Sequence, residues 1–338
     1  MKIKLLAALA ALGMSGNALA AVVCSPVEPP NYTTETLSAT SDVIKLRADA
    51  PIDANNPIGK AISPSLSTTI RYSCPGFSLT GERPLVASLV PYPGFDNMYK
   101  TNIEGIGVKF TTSAPDGGSE GPLPRPQFPL TSTPDPGAGI SYVNIPQGRF
   151  NASFYKLSDN VELFTRHPDS NLLFNQGIVG YNNLEATTIS IYSINNIYIS
   201  GTPVCKVDAP LPVDFKTVNA AAVRSGVVEP FQFGIECKTD YGTYDVTASI
   251  KADNASGDGK YIKVRDSKNN DDSLIIEIMD GQNNHVMVDN STKINMNDLN
   301  SGQKANFGWT AKLRKVDGTP YPAQGEFRAS AIVTLDIK

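Results

Sequence analysis

The residues with the most specific chemistry in this chain are four cysteines and two histidines. Cys24, Cys74, Cys205 and Cys237 are widely spaced, with no C-x-x-C pair, and His167 and His285 fall outside any metal-binding spacing, so a structural zinc site has no local frame. Disulfides are the better use of these thiols. Four cysteines allow three connectivities, and joining Cys24 to Cys74 and Cys205 to Cys237 gives each half of the chain its own bridge. Loops of that size would contribute roughly 4 kcal/mol each by the chain-entropy estimate. Catalysis finds no comparable constellation. There is no G-x-S-x-G elbow, and neither histidine stands in a triad spacing; His167, beside Pro168, reads as a loop residue. Residues 253–259, D-N-A-S-G-D-G, and residues 269–272 are acid-rich but lack an EF-hand register with its closing glutamate. Both read as solvated hairpin loops. The expectation is a protein that is not an enzyme and holds no cofactor and no metal.

The N-terminus indicates where such bridges would form. Lys2 and Lys4 precede an apolar run over residues 5–12, and Ala18-Leu19-Ala20 supplies a small-residue cleavage site, the three-part pattern of a secretory signal peptide over residues 1–20. Export to an oxidising compartment keeps disulfides closed. No later stretch approaches the roughly 20 consecutive apolar residues of a membrane helix. The chain carries 33 acidic against 29 basic residues, two of the latter inside the signal peptide, and has no basic run; nucleic acid and anionic membranes are poor partners for it.

The elements that must position these residues are strands. No 3.6-residue pattern runs for three turns between helix caps, whereas period-two runs recur between Gly, Pro, Asn and Asp clusters. In the C-terminal half the pattern predicts seven strands: Val213 and Phe215; Phe231, Phe233, Ile235 and Cys237; Tyr244, Val246, Ala248 and Ile250; Leu274, Ile276 and Ile278; residues 286–288; Ala305, Phe307, Trp309, Ala311 and Leu313; and a terminal strand. Seven strands with one apolar face each predict a two-sheet sandwich. In the first half the strand candidates are Ile44 with Leu46, Ile70 with Tyr72 and Cys74, Ile106 with Val108 and Phe110, Val161 with Leu163, and Ile189 with Ile191. Residues 113–139, dense in Pro and Gly, predict a surface loop outside the core. A closing strand over residues 189–199, a linker over 200–203 and Cys205 directly after it predict two domains, residues 21–202 and 203–338.

The last fourteen residues end the chain on a strand that needs a partner. Phe327, Ala329, Ala331, Val333, Leu335 and Ile337 share one face, and Glu326, Arg328, Ser330, Thr334 and Asp336 share the other with Ile332. This strand, opened by Gly325 fourteen residues from the end, resembles the C-terminus of pilus subunits of the chaperone–usher pathway, with Ile337 where that family usually has tyrosine. The C-terminal half is similar to a pilin domain in its early Cys205, its F-x-F-x-I-x-C strand ending at Cys237, and its aromatic strand from Phe307 to Leu313. The first half is similar, more loosely, to the N-terminal domains of two-domain tip adhesins, in Cys24, in the I-x-Y-x-C run ending at Cys74 and in residues 101–108.

The resemblance implies an all-β protein of two β-sandwich domains, the second an incomplete immunoglobulin-like pilin fold lacking its final strand. Its open groove, expected to be lined by Phe307, Val333 and Leu335, would be filled first by a periplasmic pilus chaperone and then, at an outer-membrane usher, by a strand from the adjacent pilus subunit. About four large side chains inserted at ~1.5–3 kcal/mol each would contribute on the order of 10 kcal/mol. The resemblance also implies export through the periplasm to the cell surface and attachment to a host receptor, expected to be a glycan. Glycan recognition needs flat aromatic faces beside amides or carboxylates. Tyr181, Asn182 and Asn183 in a turn-like segment, and Phe95, Asp96, Asn97 and Tyr99, have that composition. A subunit inside a fibre must also donate a strand ahead of its first domain, and cleavage after Ala20 leaves three residues before Cys24; the expected place is the distal tip. The alternative is a structural or adaptor subunit with no ligand of its own.

Overall fold

A computed structural model describes residues 21–65, 69–114, 121–146, 148–163, 171–208 and 212–338. The signal segment and His167 lie outside the described residues. The fold is all-β, with one short helix, Ala220–Ser225, among the described residues. Asn219 caps that helix, its Oδ1 accepting from the Ala222 amide at 2.9 Å, and Gly226 ends it at φ 89°.

Two sheets make the main sandwich of the first half. One runs Arg125–Pro129, Thr80–Arg83, Gly177–Leu184, Thr187–Ile194, Glu35–Ala39, the last pair parallel. The other runs Gly59–Ile62, Arg149–Lys156, Ile106–Ser113, Tyr99–Lys100, with Gly121–Pro122 also paired to Ile106–Ser113. Alternation turns Phe110 and Phe150 of the second sheet towards Tyr192 of the first. Phe110 stacks on Phe150 at 5.8 Å and Phe150 on Tyr192 at 5.1 Å, and all three are buried. A four-stranded sheet, Ser25–Glu28, Thr69–Pro75, Ile140–Pro146, Thr133–Asp135, covers a second core around Ile70, Tyr72 and Val143. The Cys24–Cys74 bridge closes beside it, as expected. A three-stranded sheet, Asn171–Phe174, Ile197–Thr202, Ile44–Arg47, completes this half.

The C-terminal half holds a five-stranded sheet, Val204–Val207, Val227–Lys238, Lys304–Lys315, Leu274–Met279, Tyr261–Val264, facing a three-stranded one, Ile294–Asn300, Thr243–Ala252, Ala331–Ile337. Among the described residues no ladder pairs a strand ending before Pro203 with one beginning after it. The halves touch where the Leu163 amide donates to the Asp240 carbonyl at 2.7 Å and where Tyr241 packs so closely on Gly201 that an added Cβ would lie 2.9 Å from its ring.

Several expected elements differ. Val213 and Phe215 lie in coil before the helix, and residues 286–288 form no strand although Val286 and Val288 are buried. The sheets are completed by Val204–Val207, Tyr261–Val264 and Ile294–Asn300. Val161 and Leu163 are core residues on an irregular segment. Residues 189–199 span two strands, because the chain breaks at Asn195 and Asn196. The second strand continues to Thr202, so the linker shrinks to Pro203. The described part of residues 113–139 carries short paired strands, and its Leu123 is fully buried in the core. There the apolar side chain overrides the loop-like composition around it.

Candidate functional site

The terminal strand, Ala331–Ile337, lies at a sheet edge and pairs on one side only, with Thr243–Ala252, in a register that sets Val333 opposite Ile250, Leu335 opposite Ala248 and Ile337 opposite Val246. Ala331, Val333, Leu335 and Ile337 are half-buried, while Ile332, Thr334 and Asp336 are exposed. Period two has therefore sorted the residues as expected, yet none of the inward row is fully covered. Ala331, Val333 and Leu335 line a cavity of about 700 Å³ whose floor includes Phe231, Phe233, Ile262 and Ile276 from the opposite sheet. A second cavity, lined by Val213, Phe215, Val223, Leu274 and Phe327, adjoins it and shares Val213, Phe215 and Phe327.

The far lip of the groove is Val204–Val207, held to Val227–Lys238 by the Cys205–Cys237 bridge between register partners. Cys237 is fully buried, and its amide donates to the Tyr244 hydroxyl at 3.2 Å. An apolar trough thus runs between two edge strands. Among the described residues each edge has no ladder partner on its outer side, which is the geometry a further strand would complete.

The residues before the terminal strand are placed with care. The chain reaches strand geometry only at Ala331; residues 326–330 cross between sheets, and Arg328 exchanges two 3.0 Å backbone hydrogen bonds with Arg265. Ala329 is exposed at the groove rim, so the expected apolar row is interrupted there. Gly325 sits at φ 127°, and a Cβ on it would lie 2.8 Å from the Ser267 Cβ, so glycine is required both by conformation and by contact. The Ser267 hydroxyl donates to the Gln324 carbonyl at 2.7 Å. Asp266 accepts from the Ala323 amide at 2.9 Å and from Lys268 and Asn270; these bonds, the one to Ala323 foremost, hold its carboxyl below the usual carboxylate range. Phe307, expected in the groove lining, is instead core: it is 2% exposed and stacks on Phe233 at 5.2 Å, leaving Phe233 and Phe231 as the aromatic floor. The sequence pattern F-x-F at 231–233 carried that signal.

Tyr181, Asn182 and Asn183 lie on the strand Gly177–Leu184 and not in a turn. Asn183 donates to Glu82 at 3.0 Å and accepts from Thr188 at 3.0 Å, so it is occupied within the sheet. Asn182, on the opposite face, is buried and opens onto a polar pocket with Arg83. Phe95, Asp96 and Asn97 precede Tyr99–Lys100; Phe95 meets Tyr92 edge-on at 5.7 Å, Asn97 has φ 53°, and Tyr99 packs against Phe110 at 5.9 Å. The two clusters thus belong to different sheets. Among the described residues no group of three His, Cys, Asp or Glu side chains converges as a metal site would require, and no helix is long and apolar enough to cross a membrane.

Comparison with known proteins bears on the groove directly. Residues 196–338 match the family model for fimbrial proteins. The similarity to fimbrial proteins is thus carried by the C-terminal half. The match begins at Asn196, just ahead of the strand Ile197–Thr202, and includes both lips of the groove. No curated protein matches the sequence. Among solved structures, the fold is similar to the receptor binding domain of the plasmid-born adhesin MrkD1P of Klebsiella pneumoniae, at 18% identity over 54% of this chain and 95% of that one, with a TM-score of 0.38. It is also similar to the CupB6 tip adhesin from Pseudomonas aeruginosa (13% identity, 93% and 94% coverage, TM-score 0.34). A third likeness is to the CsuC–CsuE chaperone–tip adhesion subunit complex of Acinetobacter baumannii (15%, 93% and 100%, 0.30). The trough and the apolar row beside it both fall within the matched residues.

Proposed function

We propose that this chain is the adhesive subunit of a chaperone–usher pilus, with residues 203–338 as the assembly domain and residues 21–202 as a receptor-binding domain for a host glycan. The observation that carries this reading is the unequal division of labour along the chain. The fimbrial domain ends on an open apolar trough, while the preceding residues build four further sheets that lend it no strand. A subunit made only for the shaft has no use for such an addition. In this reading a periplasmic chaperone covers the trough first, by laying a strand along Ala331–Ile337, and an outer-membrane usher then exchanges it for a strand from the adjacent subunit. The sheet-closed first half stands outward at the fibre tip on the cell surface.

The test is co-production of the full mature chain with its cognate chaperone. A soluble one-to-one complex that binds a glycan and matrix-protein array is the expected result. A stable monomer recovered without chaperone would overturn the assembly half of the proposal, and a complex that binds nothing on the array would favour an adaptor subunit. Immunogold labelling against residues 21–202 adds the position: label at fibre ends is expected, and regular label along the shaft would refute tip placement.

A further inference from the structure

We infer that the first half contains a built anion-binding pocket, formed by Arg83, Arg125 and Arg149 and suited to the carboxylate or sulfate of an acidic saccharide; this inference rests on the glycan-receptor reading above. The pocket, about 280 Å³, lies at one end of the main sandwich, between the sheet of Thr80–Arg83 and the sheet of Ile106–Ser113. Its described lining holds three arginines together with Thr112, Asn182 and Tyr192, and contains no Asp or Glu. In a chain with more acidic than basic residues, three guanidinium groups around one small cavity concentrate positive charge at one place.

The arrangement follows from strand alternation. Arg83 and Glu82 are neighbours in sequence and so point to opposite faces. Glu82 accepts from Asn183 on its own face, which keeps that carboxylate out of the pocket. Arg83 is aimed by neutral acceptors instead: its Nη1 donates to the Thr112 hydroxyl at 2.7 Å and its Nε to the Asn182 Oδ1 at 3.3 Å. These bonds orient the guanidinium without neutralising it. The Arg125 guanidinium carbon lies 3.8 Å from the centre of the Phe128 ring and that of Arg83 5.7 Å from the same ring, so one aromatic side chain contacts two cations. Arg149 opens the strand Arg149–Lys156 opposite Ser113 and is exposed at the mouth. No ion pair to a carboxylate engages any of the three among the described residues. Like charges gathered in this way repel each other until an anion joins them. The planar guanidinium fork matches a carboxylate or sulfate with two parallel hydrogen bonds. The volume admits the acidic group and part of one sugar ring, with the buried Tyr192 and Thr112 as neutral neighbours.

The test uses the full mature chain in its chaperone complex. It would be probed with sialylated, uronate-containing and sulfated glycans beside matched neutral ones, and separately with free N-acetylneuraminic acid and with inorganic sulfate by calorimetry. A preference of about tenfold or more for acidic over neutral glycans is expected, lost in Arg125→Gln and Arg149→Gln, whose exposed side chains can change without disturbing the core. Binding should also weaken as ionic strength rises. The sialylated and sulfated arms identify which anion the forks accept. Equal binding of acidic and neutral glycans, or unaltered binding by both glutamine variants, would overturn the pocket while leaving the receptor reading intact. Saturable binding of the free anions that both variants abolish, with no glycan bound, would support the pocket and overturn the receptor reading. Binding of none of these probes overturns the pocket.

Discussion

The two halves of this molecule solve the same packing problem to different degrees. In the first, the stack of Phe110, Phe150 and Tyr192 bridges two sheets and is sealed to 2% exposure or less. In the second, Phe231 and Phe233 lie across an unfilled trough from Val333 and Leu335, and all four remain partly exposed. Both halves have a disulfide and an alternating strand pattern, so neither feature makes the difference. The difference is an apolar cavity left open between two edge strands. Under the proposed function the contrast has a use: the deficit is confined to one edge, where strand addition would mend it without disturbing the closed half.

Separating the halves tests that contrast most severely. We expect residues 21–202, exported to an oxidising compartment, to be soluble, monomeric and protease-resistant, and residues 204–338 alone to aggregate, because about 10 kcal/mol of apolar burial in the trough is missing. A monomeric, protease-resistant C-terminal fragment would break the comparison. Next in size is the effect of charge on the terminal strand. Val333→Asp or Leu335→Asp places a carboxylate on the half-buried row, at a cost of several kcal/mol, and recovery of chaperone complex should fall roughly a hundredfold or more. Thr334→Asp, on the exposed face, should change it little. Equal losses at Val333 and Thr334 would mean that register does not govern recognition.

How much of this was legible beforehand depended on the range of the interaction. The long alternating runs that became Val227–Lys238, Thr243–Ala252, Lys304–Lys315 and the terminal strand announce themselves, because each turns one apolar face inward along most of its length. Ile294–Asn300 does not: Ile294 and Met296 alternate with asparagines on an edge that is largely exposed, so little burial marks it. Val213–Phe215 and Val286–Val288 show the reverse failure, since two alternating apolar residues suit buried coil as well as strand. Ile189 to Ile199 misled because two consecutive strands with similar patterns read as one. The cysteine pairing was accessible from chain order. The arginine pocket was not: Arg83, Arg125 and Arg149 are remote in sequence, and only sheet packing brings them together.

A smaller effect sharpens the account of the groove's entrance. Gly325→Ala must hold alanine at φ 127° and force its methyl towards the Ser267 side chain. A loss of about 1–3 kcal/mol is expected, read as a lower midpoint of denaturant unfolding of the chaperone complex. The first half's unfolding should be unchanged, since Gly325 and Ser267 both lie in the second. An equal loss in both halves would mean that they do not unfold as separate units.

The smallest effect comes from acid. Asp266 holds the segment leading to the terminal strand through the Ala323 amide, and that bond, with those from Asn270 and Lys268, lowers its pKa. A carboxyl depressed in the folded state contributes stability that is present above its unfolded value, about 3.9, and is lost as pH falls through the folded value below that. The terminal strand should therefore loosen below about pH 4 while the bridged, closed core of the first half persists. Amide exchange at Val333 and Leu335, compared with exchange at Phe150, would measure this. In Asp266→Ala the exchange at the terminal strand should already be fast near neutrality and should lose this acid dependence. If the wild-type and variant strands exchange alike at pH 7, Asp266 does not anchor the approach to the groove, and the placement of the strand must rest on its ladder with Thr243–Ala252 alone.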